Sequence, residues 1–191
     1  MFLNPFSRRG PDPHALAVSM TGVKLGDRVA FLGMPAPARI AAIAAKVGLS
    51  GRAAAVVADD QAAARIGKAA ANAGVLVDTD VAALTALPYG AGDFDLAIVD
   101  DTGGLLEQLG DADRAALARE AARILRPGGR IVVLGGGEPE GLNKLMSKTA
   151  ASPFVVSGAV NDLLSANGFG IVRTLAEREG LVFVEGLKPR T

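Results

Sequence analysis

Two apolar runs in this sequence end in paired carboxylates. "AAAVVADD" closes on Asp59 and Asp60, and "FDLAIVDD" closes on Asp100 and Asp101. If both runs are parallel strands, the acids stand at carboxyl ends, where open α/β sheets bind ligands, and can accept hydrogen bonds there. A third run, "RVAFL", passes into "GMPAPAR", a strand-to-helix turn with a single glycine, Gly33. In α/β proteins such a turn is where a nucleotide-like ligand meets the backbone. Plainer alternatives stand beside these: Asp60 capping the next helix, and Asp100 and Asp101 as solvated loop acids.

Other chemistry is scarce. The 191 residues hold no cysteine and one histidine, His14, which removes disulfides, thiolate metal sites and most zinc and Ser-His-Asp chemistry. No metal site is expected. Twenty Lys and Arg balance twenty Asp and Glu, so no net field draws the chain to nucleic acid or anionic lipid. His14 ends the proline-rich arm "MFLNPFSRRGPDPH", where a lone histidine is usually just exposed. That arm has no apolar run long enough for a signal peptide or a membrane span, and with the missing cysteines this points to a cytoplasmic protein. "LGGGEPEG", residues 134–141, lacks the Gly-x-x-x-x-Gly-Lys-Ser/Thr spacing of a phosphate loop and reads as a flexible loop at the ligand edge of the sheet.

The elements that must position the acids follow from periodicity. With 50% hydrophobic residues the length suits one domain, taken as 23–191, after an arm and a short docking helix in 1–22, the helix covering Ala15 to Met20. "RVAFL" has the pattern of a strand covered on both faces. Pro37 then suits the first helical position, and Ile40, Ile43, Ala44 and Val47 fall at helical spacing before Gly48. The unit repeats with a strand from Ala53 and a helix stopped by Gly74. "VLVD" (Val75 to Asp78) is a third strand, "FDLAIVDD" a fourth and "RIVVL" (Arg130 to Leu134) a fifth. Between the last two, a helix starts at Asp111 as N-cap and places Leu117, Ala121, Ile124 and Leu125 on one face. "VNDLLSANGFG" is a further helix, and "IVRTLAE" and "LVFVEGLK" form a hairpin around "REG". The expectation is a Rossmann-like, doubly wound α/β sheet, mostly parallel and seven-stranded, with an antiparallel C-terminal hairpin.

Several pieces in this order resemble the class I S-adenosylmethionine-dependent methyltransferases, particularly the small type 11 or ubiquinone-biosynthesis-like group. "ALPYGAGDFDLAIVDD" is similar to the family's Leu-Pro-Phe, Gly-x-Phe-Asp signature, and "ILRPGGRIVVL" to its Leu-Arg-Pro-Gly-Gly and fifth strand. "LLSANGFGIVRTLAEREGLVFVEGLKP" resembles its final helix and hairpin. The resemblance implies S-adenosylmethionine as cofactor, held around Gly33, Met34, Ala36, Asp59, Asp60, Leu84 and Asp100. It gives Asp59 the ribose hydroxyls and puts Asp100 near the reacting methyl group as the catalytic candidate for orienting an acceptor. Residues 142–156 would shape the acceptor pocket as a lid, or lie as a plain surface helix.

The glycine loop departs from the family pattern. Its acid two residues before the first glycine is Phe31 here, and Gly-x-Gly-x-Gly is replaced by Gly33, Met34, Pro35, Ala36 and Pro37. Proline offers no N–H and Phe31 cannot receive an ammonium group. A missing charge-assisted hydrogen bond costs roughly 1.5 to 3 kcal/mol, so cofactor binding is expected to be weak. Asp60 replaces a common apolar residue, and the family's adenine-contacting acid is Ala83. Two functions stay open: a methyltransferase for a small-molecule acceptor, or an inactive binding module, its cleft filled by Phe31, Met34 and Pro35, with a protein partner. A nicotinamide-dependent dehydrogenase is weaker, lacking Gly-x-Gly-x-x-Gly.

Overall fold

Uninterrupted apolar runs bury both faces of a strand, and the fold is built on that rule. The computed structural model describes residues 12–33, 36–137 and 151–191. On β1 (Arg28–Leu32), Val29 and Phe31 join one buried cluster with Ile40, Ile43 and Val47 of α2 (Pro37–Val47) and Ile66 of α3 (Asp60–Ala73). Ala30 and Leu32 join the opposite cluster, with Leu117 and Ile124 of α5 (Asp111–Ile124) and Val160 and Leu164 of α7 (Ala159–Ala166). Alternate residues of one strand therefore feed two cores, one on each side of the sheet. Each large side chain buried this way contributes about 1.5–3 kcal/mol.

The sheet order is β3-β2-β1-β4-β5-β7-β6, with β2 (Arg52–Val57), β3 (Asp78–Val81), β4 (Phe94–Asp100), β5 (Leu125–Gly136), β6 (Ile171–Arg178) and β7 (Leu181–Leu187). The first five strands run parallel, and β7 pairs antiparallel with β5 and β6. This is the expected α/β sheet. The hairpin turns through Glu179 and Gly180, at φ 54° and 70°. Two successive positive φ values match the right-handed twist of the flanking strands, and the glycine meets half of that demand without strain. A short helix, α1 (Ala15–Thr21), buries Ala17 against the α2 side of the sheet. No helix among the described residues is long and apolar enough to cross a membrane.

Some boundaries differ from the sequence reading. The third strand is Asp78–Val81, not Val75 to Asp78. Gly74 ends α3 in the left-handed conformation and the Val75 N–H donates back to the Ala70 carbonyl at 3.0 Å, so the apolar residues after it are used in leaving the helix. Leu76 is left 80% exposed, and register places Asp78 opposite Ala54. The N-cap of α5 is Gly110, while Asp111 is its first residue and pairs with Arg114. Leu125 opens β5 instead of closing that helix. The strand also runs on into the glycine-rich stretch, where Leu134, Gly135 and Gly136 pair with Phe183, Val182 and Leu181. Residues 1–11, Met34, Pro35 and 138–150 lie outside the described residues, with most of the arm and of the candidate lid. At the far end of that lid segment, Pro153–Val156 is a short helix, α6.

Candidate functional site

Register brings the predicted residues to one edge. Leu32 pairs with Val56 on one side and Val99 on the other, so Gly33 and Asp100 follow at the same level on adjacent strands. Val57 pairs with Val81, which puts Asp59 and Leu84 just past the ends of β2 and β3. Gly33, Asp59, Leu84 and Asp100 thus share the carboxyl edge of the parallel strands. Ligands bind at this edge in open α/β sheets.

Gly33 takes φ 96°, which suits only glycine without strain. A Cβ there would lie 2.5 Å from Leu105 Cδ2 and 3.8 Å from Leu84 Cδ1. Leu105 starts the short helix α4 (Leu105–Gln108), and both leucines pack against the buried cluster that contains Leu32 and Leu106. Ala36 is the N-cap of α2 through its backbone, its carbonyl accepting from the N–H groups of Arg39 at 2.9 Å and Ile40 at 3.2 Å. Phe31, in the position of the family's acid, is 0% exposed in the core. Met34 lies outside the described residues.

Asp59 is the N-cap of α3: its Oδ1 accepts from the Ala62 N–H at 2.7 Å. Capping therefore falls to Asp59, and Asp60 is the first helical residue, exposed to solvent. A carboxylate has room for about four hydrogen bonds, so the exposed Asp59 retains acceptor capacity beyond its cap. Asp80, near Ala83, accepts from the Tyr89 hydroxyl at 2.9 Å; burial first, then that bond, pushes the phenol above its ordinary range. The "LPY" segment is pinned by α5. Arg123 donates to the carbonyls of Tyr89 at 2.7 Å and Leu87 at 3.1 Å, and the Leu87 N–H donates to Glu120 at 2.8 Å. Arg123 beside it also holds the Glu120 carboxyl below its usual range.

Asp100 is not a solvated loop acid. Its side chain is 0% exposed and forms an ion pair with Arg39 Nη1, reaching across from the first turn of α2. The other oxygen, Oδ1, accepts from the Thr102 hydroxyl at 2.6 Å and the Thr102 N–H at 3.0 Å. Asp101 is also buried, and faces the opposite core: its Oδ1 accepts from the Leu106 N–H at 2.6 Å, and its Oδ2 has no partner. Burial pushes its carboxyl up, with Glu107 and Asp100 adding to the effect. His14 caps α1 through its backbone and has no link to this edge.

Arg39, Thr102 and Leu105 are the residues at this edge that sequence reasoning missed. A signal existed for Arg39, since a cation in the first turn of a helix opposes the macrodipole by about 0.3–1 kcal/mol and so calls for an outside partner. No sequence signal marks Leu105.

The site residues present allow S-adenosylmethionine in part. Gly33 provides the bare backbone, Asp59 has acceptors for hydroxyls, and Arg39 Nε is a buried donor without a partner among the described residues. Leu105 Cδ2 fills the space where a Cβ on Gly33 would stand.

A family model described as a methyltransferase domain matches residues 35–133, more than half of the chain, beginning inside the β1–α2 turn. The chain belongs to that family of methyltransferase domains. No curated protein matches it. Solved structures share the fold at low identity. A SAM-dependent methyltransferase from Aquifex aeolicus is similar with TM-score 0.74 at 15% identity, over 92% of this chain and 89% of that one. A SAM-dependent O-methyltransferase from Thermotoga maritima gives 0.65 at 16%, over 94% and 65%. The [4+2]-cyclase SpnF gives 0.68 at 15%, over 93% and 80%.

Proposed function

We propose that this chain is an S-adenosylmethionine-dependent methyltransferase for a small-molecule acceptor, with a weakened hold on its cofactor and with residues 23–191 acting as one domain. The observation that carries this is the convergence of Gly33, Asp59, Leu84 and Asp100 on one sheet edge in a chain of the methyltransferase family. The cofactor supplies a methyl group on a sulfonium. In-line displacement depends on proximity and alignment, so an edge without a histidine base or a nucleophilic thiol is adequate to it.

In this reading Asp59 accepts hydrogen bonds from the ribose hydroxyls without giving up its cap. Leu84 lines the adenine side with Asp60 at its rim, and the backbone at Gly33 and Ala36 passes beneath the cofactor. Asp100, closed off by Arg39, acts by holding that arginine and not by touching the acceptor. The weak hold follows from Phe31, which offers an ammonium group nothing. The cysteine-free composition fits work in the cytoplasm.

Calorimetric titration with S-adenosylmethionine and S-adenosylhomocysteine tests the proposal, with Asp59→Ala as control. Binding in the micromolar to high-micromolar range, abolished in the control, is the expected result. No heat at millimolar ligand from folded protein would overturn it. A second reading, a non-catalytic interaction module, is favoured by one observation: Leu105 Cδ2 crowds the Cβ side of Gly33. That the same fold is shared with a [4+2]-cyclase is a reminder that scaffold alone does not fix chemistry.

A further inference from the structure

We infer that Arg39 is the residue that takes the carboxylate of the cofactor's amino-acid end, held ready for it by Asp100; this rests on the cofactor reading above. Three observations lead there. First, Arg39 stands in the opening turn of α2, directly after the altered glycine loop, where the helix macrodipole disfavours a cation. A positive side chain at a positive helix end makes this the part of the edge best suited to an anion.

Second, the guanidinium is fixed but only partly used. Nη1 donates to Asp100 Oδ2 and lies 3.4 Å from the Thr102 hydroxyl, while Thr102 holds the other oxygen of Asp100 from its own N–H and O–H. The pair is thus anchored to the end of β4. Third, Arg39 Nε is buried and has no acceptor among the described residues. Buried donors of charged groups are rarely left unpaired, because the cost of taking them out of water is then uncompensated. A carboxylate supplies two coplanar oxygens, which is the geometry an arginine fork satisfies best.

The loop that would otherwise serve this end of the ligand lacks the means. Pro37 has no N–H to donate to a carboxylate. Asp100 is therefore a positioning residue: it holds the guanidinium and does not meet the ligand.

The test compares S-adenosylhomocysteine with 5′-methylthioadenosine, which keeps the adenosine and sulfur but lacks the amino-acid end, by calorimetric titration of the full chain. In the unaltered protein S-adenosylhomocysteine is expected to bind at least tenfold more tightly. Arg39→Met should contract that ratio to twofold or less, and Arg39→Lys, which keeps charge without the fork, should leave an intermediate ratio. Equal affinity for the two ligands in the unaltered protein overturns the role of Arg39 while leaving the cofactor reading in place, and needs no variant to fold. A ratio preserved in folded Arg39→Met overturns it as well. If neither ligand binds, the cofactor reading falls and this inference with it.

Discussion

The first two strand-turn-helix units repeat the same order of elements and begin their helices by opposite means. After β2, Asp59 caps α3 with its own carboxylate on the Ala62 N–H, so the turn is satisfied from within. After β1, no side chain caps α2; Pro37 leaves one N–H fewer to satisfy, and the polar side chain of the first turn, Arg39, reaches outward to Asp100 on β4. The same order of elements therefore leaves the charge of one unit local and couples that of the other to a neighbouring strand. A residue change in the first unit should be felt across the sheet, and one in the second should stay in its helix.

The sharpest way to break this contrast is to remove one acid from each unit's partnership. Asp100→Ala leaves the mostly buried guanidinium of Arg39 without its counter-charge and is expected to cost about 3–5 kcal/mol in urea denaturation. Asp59→Ala removes an exposed cap and should cost about 0.5–2 kcal/mol. Equal losses for the two variants would mean that Arg39 finds other partners, and the coupling between units would be discarded.

Gly33→Ala comes next. The substitution meets a left-handed φ of 96° and the end of the Leu105 side chain, for an expected loss of about 1–3 kcal/mol. Leu105→Ala in the same background should return the part due to overlap and none of the part due to φ. In the unaltered loop, Leu105→Ala should also tighten S-adenosylhomocysteine binding, because it clears the approach to Gly33. A thermal-shift series across the three variants reads both effects, and unchanged or weaker binding in Leu105→Ala would show that Leu105 is part of the ligand's own surface.

The parallel sheet was legible because Val29 to Leu32, Ala53 to Val57 and Phe94 to Val99 are almost unbroken apolar runs, interrupted only by Asp95, and strands covered on both faces need that. The third strand misled because Val75, Leu76 and Val77 carry the same apolar signal, but Val75 closes the end of α3, Leu76 is exposed, and Val75 and Val77 pack against the core from outside the strand. That Gly33, Asp59 and Asp100 share one sheet edge was legible too, since carboxylates ending apolar runs mark a strand's carboxyl end. Its internal pairing was not. Whether Asp100 faces solvent or a cation depends on which helix packs on that face of β4, and Arg39 and Asp100 are brought together by topology across 61 residues of sequence. Asp59 and Asp60 differ by one position, and the choice between them as cap turns on backbone φ and ψ that neither residue type dictates.

The smallest effect lies in the two adjacent acids at the end of β4. Asp100 turns to one face and meets a cation, while Asp101 turns to the other, where burial raises its pKa and Oδ2 has no partner. A carboxyl whose pKa is higher folded than unfolded takes up protons on folding, so it destabilises progressively as pH climbs from its unfolded value, about 3.9, to its raised folded value. Below that window the penalty is absent, and above it the penalty is complete. Asp101→Asn keeps an acceptor for the Leu106 N–H and cannot ionise, so it should be free of this effect. Urea denaturation at pH 4 and pH 8 should therefore show the variant gaining on the parent protein as pH rises, by on the order of 1 kcal/mol. A difference independent of pH would mean that burial does not raise the Asp101 carboxyl, and this reading of the buried acid would be discarded.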